Sequence, residues 1–141
     1  MLYDAHDDPE GATRGDLLAA YAEELAGVVA EFGVDGTVEA TGLDRGTVEA
    51  IAAGEVADVR LADAATVLAL VEDASPEDLA FEVRDHLMME MVTAILDVDT
   101  IAANIEPDLT GQEVQQAIEG RTRLTLGELA AIQALVAERK G

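Results

Sequence analysis

The chain is 141 residues long and half apolar, with 30 acidic residues against eight basic ones and a formal net charge of −22 at pH 7. It has no cysteine, which excludes disulfides and thiolate metal sites, and no apolar run approaches the ~18 residues that span a bilayer. Ala, Val and Leu dominate the apolar half, prolines number only three, and the class expected is all-α.

Residues 1–12 read as a mobile acidic lead-in without the basic and apolar regions of a signal peptide, so a soluble, cytoplasmic protein is expected. The cluster Asp4, His6, Asp7 and Asp8 reads as a solvated terminus rather than a divalent-cation site. A first module, 13–74, begins at Thr13-Arg-Gly-Asp16, which offers an N-cap with an acid at N3. Behind it Leu17, Leu18, Tyr21, Leu25, Val28, Val29 and Phe32 recur at helical spacing, and Gly33 supplies a stop. A second module, 75–141, begins at Ser75-Pro76-Glu77-Asp78, with a cap, proline at N1 and acids in the first turn. Its long helix carries Leu79, Val83, Leu87, Met91 and Ile95 four apart, and Phe81, Met88 and Val92 widen the apolar stripe. That width predicts burial over much of the circumference. The methionines read as adaptable core filler, with a partner-binding groove as the other reading.

After each long helix comes a similar passage, Val34 to Val71 and Val98 to Val136. Val48 falls on Val114 and Gly54 on Gly120, each 66 residues on, while Leu61 falls on Leu126 and Ala65 on Ala130, each 65 on. A shift this steady predicts an internal duplication. Within each passage the order is short helix, turn, second helix, glycine, loop and amphipathic helix. Gly42, Leu43, Asp44, Val48, Ile51 and Gly54 occupy one copy, and Leu109, Thr110, Val114, Ala117 and Gly120 the other. In the second copy Asp108 replaces the turn glycine and Glu106-Pro107 are inserted.

This pattern resembles the helix-turn-helix of the phage-repressor (Cro and C1) family. The fold so implied is all-α, two tandem helix-turn-helix modules formed by duplication, each introduced by a long amphipathic helix. The composition, rich in Asp and Glu and poor in Lys and aromatics, also resembles that of haloarchaeal proteins. The chain is similar to families from those organisms, a likeness that carries no activity with it.

In the repressor family the N-terminal part of the second helix of the motif meets base edges. The resemblance therefore implies Asp44, Arg45, Gly46, Thr47 and Glu49 in the first copy. In the second it implies Thr110, Gly111, Gln112, Glu113, Gln115 and Gln116. Gln112, Gln115 and Gln116 suit adenine edges, and Arg121 and Arg123 suit phosphates. The DNA-binding set expected is thus Thr110, Gln112, Gln115, Gln116, Arg121 and Arg123. The other reading of the glutamines is a solvated helix face, and of the arginines, solubilising or salt-bridging residues. Residues 109–141 carry four acids and four bases, so the whole excess of negative charge lies in 1–108; the first module reads as degenerate.

An enzyme is not expected. His6 and His86 lie far apart, Glu82-x-x-x-His86 occurs once rather than as the paired Glu-x-x-His of di-iron bundles, and neither a phosphate-cradling loop nor a nucleophile triad can be assembled. No metal or other cofactor is implied. The partners expected are double-stranded DNA, a second copy in a homodimer or another protein, and no membrane. Two functions follow: a DNA-binding transcriptional regulator reading through the second module, or a helical interaction module that keeps the fold without binding DNA.

Overall fold

A computed structural model describes residues 13–104, 109–120 and 123–140. Those residues form seven α-helices: α1 Arg14–Thr41, α2 Arg45–Ala52, α3 Leu61–Leu68, α4 Pro76–Ala94, α5 Val98–Asn104, α6 Gly111–Ile118 and α7 Leu126–Lys140. The molecule is all-helical as its Ala- and Leu-rich composition predicts.

Local signals set the helix ends. Thr13 opens α1 with a capping box, its hydroxyl accepting from Asp16 N while the Asp16 carboxylate accepts from Thr13 N. Ser75 caps α4 through a single bond, its hydroxyl accepting from Asp78 N, with Pro76 in the first turn. Gly33 is left-handed, φ 77°, and bends α1 at the stop the sequence predicts, so the segment from Val34 to Thr41 runs as a separate short helix in direction. Gly42, Gly54 and Gly120 are also left-handed, each ending a helix or its last turn.

The landmarks of the two halves recur in one order. Thr13 and Ser75, both N-caps, lie 62 residues apart, and so do the left-handed Gly33 and Ile95. The buried series Leu17, Tyr21, Leu25 and Val29 is matched at the same spacing by Leu79, Val83, Leu87 and Met91. Packing crosses between the halves: α1 lies against α2, α3 and α7, and α4 against α3, α6 and α7. Where the halves meet, Leu61 N donates to Leu124 O at 2.7 Å and Leu126 N donates to Val59 O at 2.8 Å, an antiparallel bridge centred on Arg60 and Thr125. Arg14 Nε adds a bond to Gly127 O at 3.1 Å. The buried core is one cluster that runs from Leu17 to Val136.

Two features of the sequence reading are corrected. α4 is not buried around much of its circumference. Leu79, Ala80, Val83, Leu87 and Met91 face the core, but Phe81, Met88, Met89, Val92 and Ile95 are exposed. α1 likewise leaves Phe32 exposed and Leu18 only half-buried. At 3.6 residues per turn, Phe81, Met89 and Val92 point away from the buried series while Met88 and Ile95 lie towards its edge, and among the described residues no other element covers that side.

Candidate functional site

Of the expected DNA-binding set, Thr110 caps α6, Gln112, Gln115 and Gln116 lie on it, and Arg123 follows it. Thr110 Oγ1 accepts from Glu113 N at 3.1 Å, and Glu113 Oε1 accepts from Thr110 N at 3.1 Å, a capping box that closes the first turn. Val114, Ala117 and Ile118 are buried against the rest of the fold. That anchoring turns Gln112 and Gln115 outward and leaves Gln116 half-buried. Gln115 Nε2 donates to Glu119 Oε1 at 2.8 Å. Arg123 is exposed after the helix, while Arg121 lies outside the described residues, as do Glu106, Pro107 and Asp108 and the acidic lead-in with Asp4, His6, Asp7 and Asp8.

The electrostatics of the α6 N-terminus are set by carboxylates. Its free N–H groups and dipole favour an anion. Glu113 answers one of those groups, and the Asp99 carboxylate occupies the space that a side chain at Gly111 would take. At the other end, Arg84 of α4 is half-buried and its Nε donates to Ala117 O at 3.0 Å. Burial pulls its pKa below the ordinary arginine value. The dipole favours a cation at a helix C-terminus, so Arg84 is committed to the inner side of α6.

The corresponding slot of α2 differs in its partners. Asp44 stands at the N-cap but its side chain makes no capping bond. Arg45 hydrogen-bonds to the Asp35 carboxylate and lies 3.9 Å from Glu49 Oε1; the bond to Asp35 holds its pKa above the ordinary value. Gly46 is exposed, Thr47 half-buried and Glu49 exposed. The cation of this slot is thus bound to two acids of its own chain.

A shallow groove of about 360 Å³ opens between Leu18 and Ala19 of α1 and Gly54 to Asp58. His86 Nε2 lies 3.6 Å from Glu90 Oε1 on the same helix. Among the described residues no group of three or more His, Asp or Glu side chains is placed to hold a metal ion, and no helix is long and apolar enough to cross a membrane.

The outer face of α4 is where the sequence preferred core filler, with a partner-binding groove as the other reading of its methionines; Met88 and Met89 are exposed. Phe81, Met89, Val92 and Ile95 are 66, 62, 79 and 91 % exposed. Ile95 adds a conformational anomaly. Its φ of 56° makes it left-handed and, among the described residues, the one non-glycine at positive φ. A β-branched side chain is a strained choice there, and the matching position of α1 is Gly33.

No curated protein and no solved structure matches the chain. The profile of a family of unknown function, DUF5791, matches residues 17–139, and the chain belongs to that family.

Proposed function

We propose that the chain is an internally duplicated, repressor-like helical protein that acts by protein contact through α4 rather than by reading DNA or by catalysis. The duplication is supported by the order of the landmarks: caps at Thr13 and Ser75, left-handed residues at 33 and 95, and again at 54 and 120. The reciprocal bonds between Val59–Leu61 and Leu124–Leu126 join residues that correspond in the two copies.

The single observation that carries the contact reading is the exposed stripe of α4 ending at Ile95. Scattered surface apolar residues are ordinary, whereas apolar residues gathered on one side of a helix, here Met88, Met89, Val92 and Ile95 with Phe81 beyond Asp85, mark an interaction surface. Strain at a left-handed residue costs of order 1–3 kcal/mol. A glycine would avoid it, and the exposed isoleucine returns nothing to the fold in which it sits. A contact surface gives it a use.

A DNA-reading second module has one observation in its favour: Gln112 and Gln115 are exposed on a helix followed by the exposed Arg123. Against it stand Asp99, Glu113 and Glu119, three carboxylates around a helix that would approach phosphates.

Two measurements decide between them. A photo-crosslinking residue at Val92 forms a discrete protein adduct in host cells, and the same residue at Ala30, exposed on α1, does not. Selection from random DNA by the purified chain, in dilute and in concentrated potassium chloride, enriches no motif. A motif enriched by the wild type and lost in a Gln112/Gln115/Gln116→Ala variant overturns the contact reading.

A further inference from the structure

Resting on the contact reading, we propose that the outer face of α4 is the docking site for a cationic amphipathic helix of another protein. The apolar part of the face, Phe81 to Ile95, is about four helical turns and ~21 Å long. That length takes the apolar side of one partner helix in helix-in-groove fashion. Met88 and Met89 give the face an unbranched, deformable surface that adapts to different knobs.

Charge selects the occupant. The ionised groups along the exposed side of α4 are Glu77, Asp78, Glu82 and Asp85, all exposed. Asp85 falls within the stripe between Phe81 and Met89, and Asp97 and Asp99 are exposed just beyond its far end. Arg84, the cation of this helix, is turned to Ala117 O, and His86 lies beside Glu90 on a flank. Among the described residues of α4 every exposed charge is an acid, and an apolar strip so bordered attracts apolar residues flanked by Lys or Arg. It repels a second copy, which brings the same acids with it, and it repels an anionic lipid surface or nucleic acid.

The test uses the full chain and two labelled synthetic helices of about 18 residues, long enough to cover the stripe. One is built from Leu and Lys, the other from Leu and Glu with the same apolar face. Anisotropy titrations are run with the wild type, Met89→Glu, Val92→Glu and, as a control, Ala30→Glu. The Leu/Lys helix binds the wild type and the Leu/Glu helix does not. Met89→Glu and Val92→Glu weaken binding at least about tenfold, the size expected for charging an apolar contact, although each adds a negative charge that would strengthen a purely electrostatic attraction. Ala30→Glu does not weaken it. Glu82→Gln with Asp85→Asn weakens it and flattens its salt dependence.

Equal binding by the stripe variants, or binding of neither helix, overturns the proposal. Sedimentation velocity separates its failure from that of the contact reading. A dimer dissolved by Val92→Glu replaces the cationic helix with a second copy and leaves protein contact standing. A DNA motif lost with the three glutamines removes protein contact itself.

Discussion

At position 127 an added Cβ would lie 2.9 Å from the carbonyl oxygen of Ala57 and 2.8 Å from Nη2 of Arg14. The arginine can swing away, but the Ala57 carbonyl is already held at 2.9 Å by Gly127 N. Gly127→Ala therefore pushes the two halves apart where their backbones meet, and a loss of about 1–3 kcal/mol is expected, the usual cost of overpacking. Urea unfolding measures it. Tyr21 presents the opposite case. Its ring is fully buried and its hydroxyl has no hydrogen-bond partner among the described residues. Burial, and secondarily the charge of Glu24, raise its pKa far above the ordinary value of 10.0. A raised folded pKa means that the tyrosine's contribution is intact below the unfolded pKa and is lost as pH climbs past it. The wild type should thus lose stability above about pH 10. Tyr21→Phe should match or exceed wild-type stability at neutral pH, since it removes an unsatisfied buried hydroxyl, and should show a smaller alkaline loss. Thermal melts from pH 7 to pH 11 check both.

Arg84 is the connection between α4 and α6, and it has no counterpart in the first half, where Ala22 stands beside Gly54 as Arg84 stands beside Gly120. Arg84→Ala should free the α6 C-terminus. Hydrogen exchange should then speed up in α6 while α2 is unaffected, with a loss of about 1–2 kcal/mol from the charged hydrogen bond and the dipole contact. Ile95→Gly should act in the other direction. It relieves the left-handed isoleucine at the end of α4, and a gain of about 1 kcal/mol is expected. It should at the same time weaken binding of the Leu/Lys helix. The two effects separate in one variant only if Ile95 serves a partner and not the fold. The elements themselves were legible in the sequence, because caps and helix stops act within a few residues. Thr13, Ser75, Gly33, Gly54 and Gly120 do what their local chemistry predicts. The face of α4 was not legible in the same way. Periodicity tells that Phe81, Met88 and Val92 share a side, but which side a neighbour covers is decided by α3, α6 and α7, far away in the chain. For the same reason Gln112 and Gln115 could be placed on an outer face from spacing alone. The Asp99 carboxylate beside Gly111 could not, because α5 must first fold back on α6.

At the scale of the whole molecule the connection between halves is reciprocal rather than end to end. α1 packs on α7 and α4 packs on α3, so each long helix covers the last helix of the other half. Leu61 N and Leu126 N each find their acceptor across the divide. A chain cut between residues 74 and 75 leaves each piece with a long helix whose apolar face has lost part of its cover. Each also has a backbone N–H without its partner. Leu17, Tyr21, Leu61, Leu126 and Leu129 belong to one buried cluster, and a half-sized core is marginal on surface-to-volume grounds alone. Fragments 1–74 and 75–141, made separately, should therefore show weak helical circular dichroism and no cooperative melt. Mixed at equal concentration they should associate and recover both. The first fragment carries the larger part of the negative excess, and the second is also acidic, through Glu77, Asp78, Glu82 and Asp85 among others. Association should accordingly be tighter in concentrated potassium chloride, where the Debye length falls to about 3 Å at 1 M, than in dilute buffer. If either fragment melts cooperatively alone, its core closes without the other half, and the crossed packing contributes contact area but not the condition for folding.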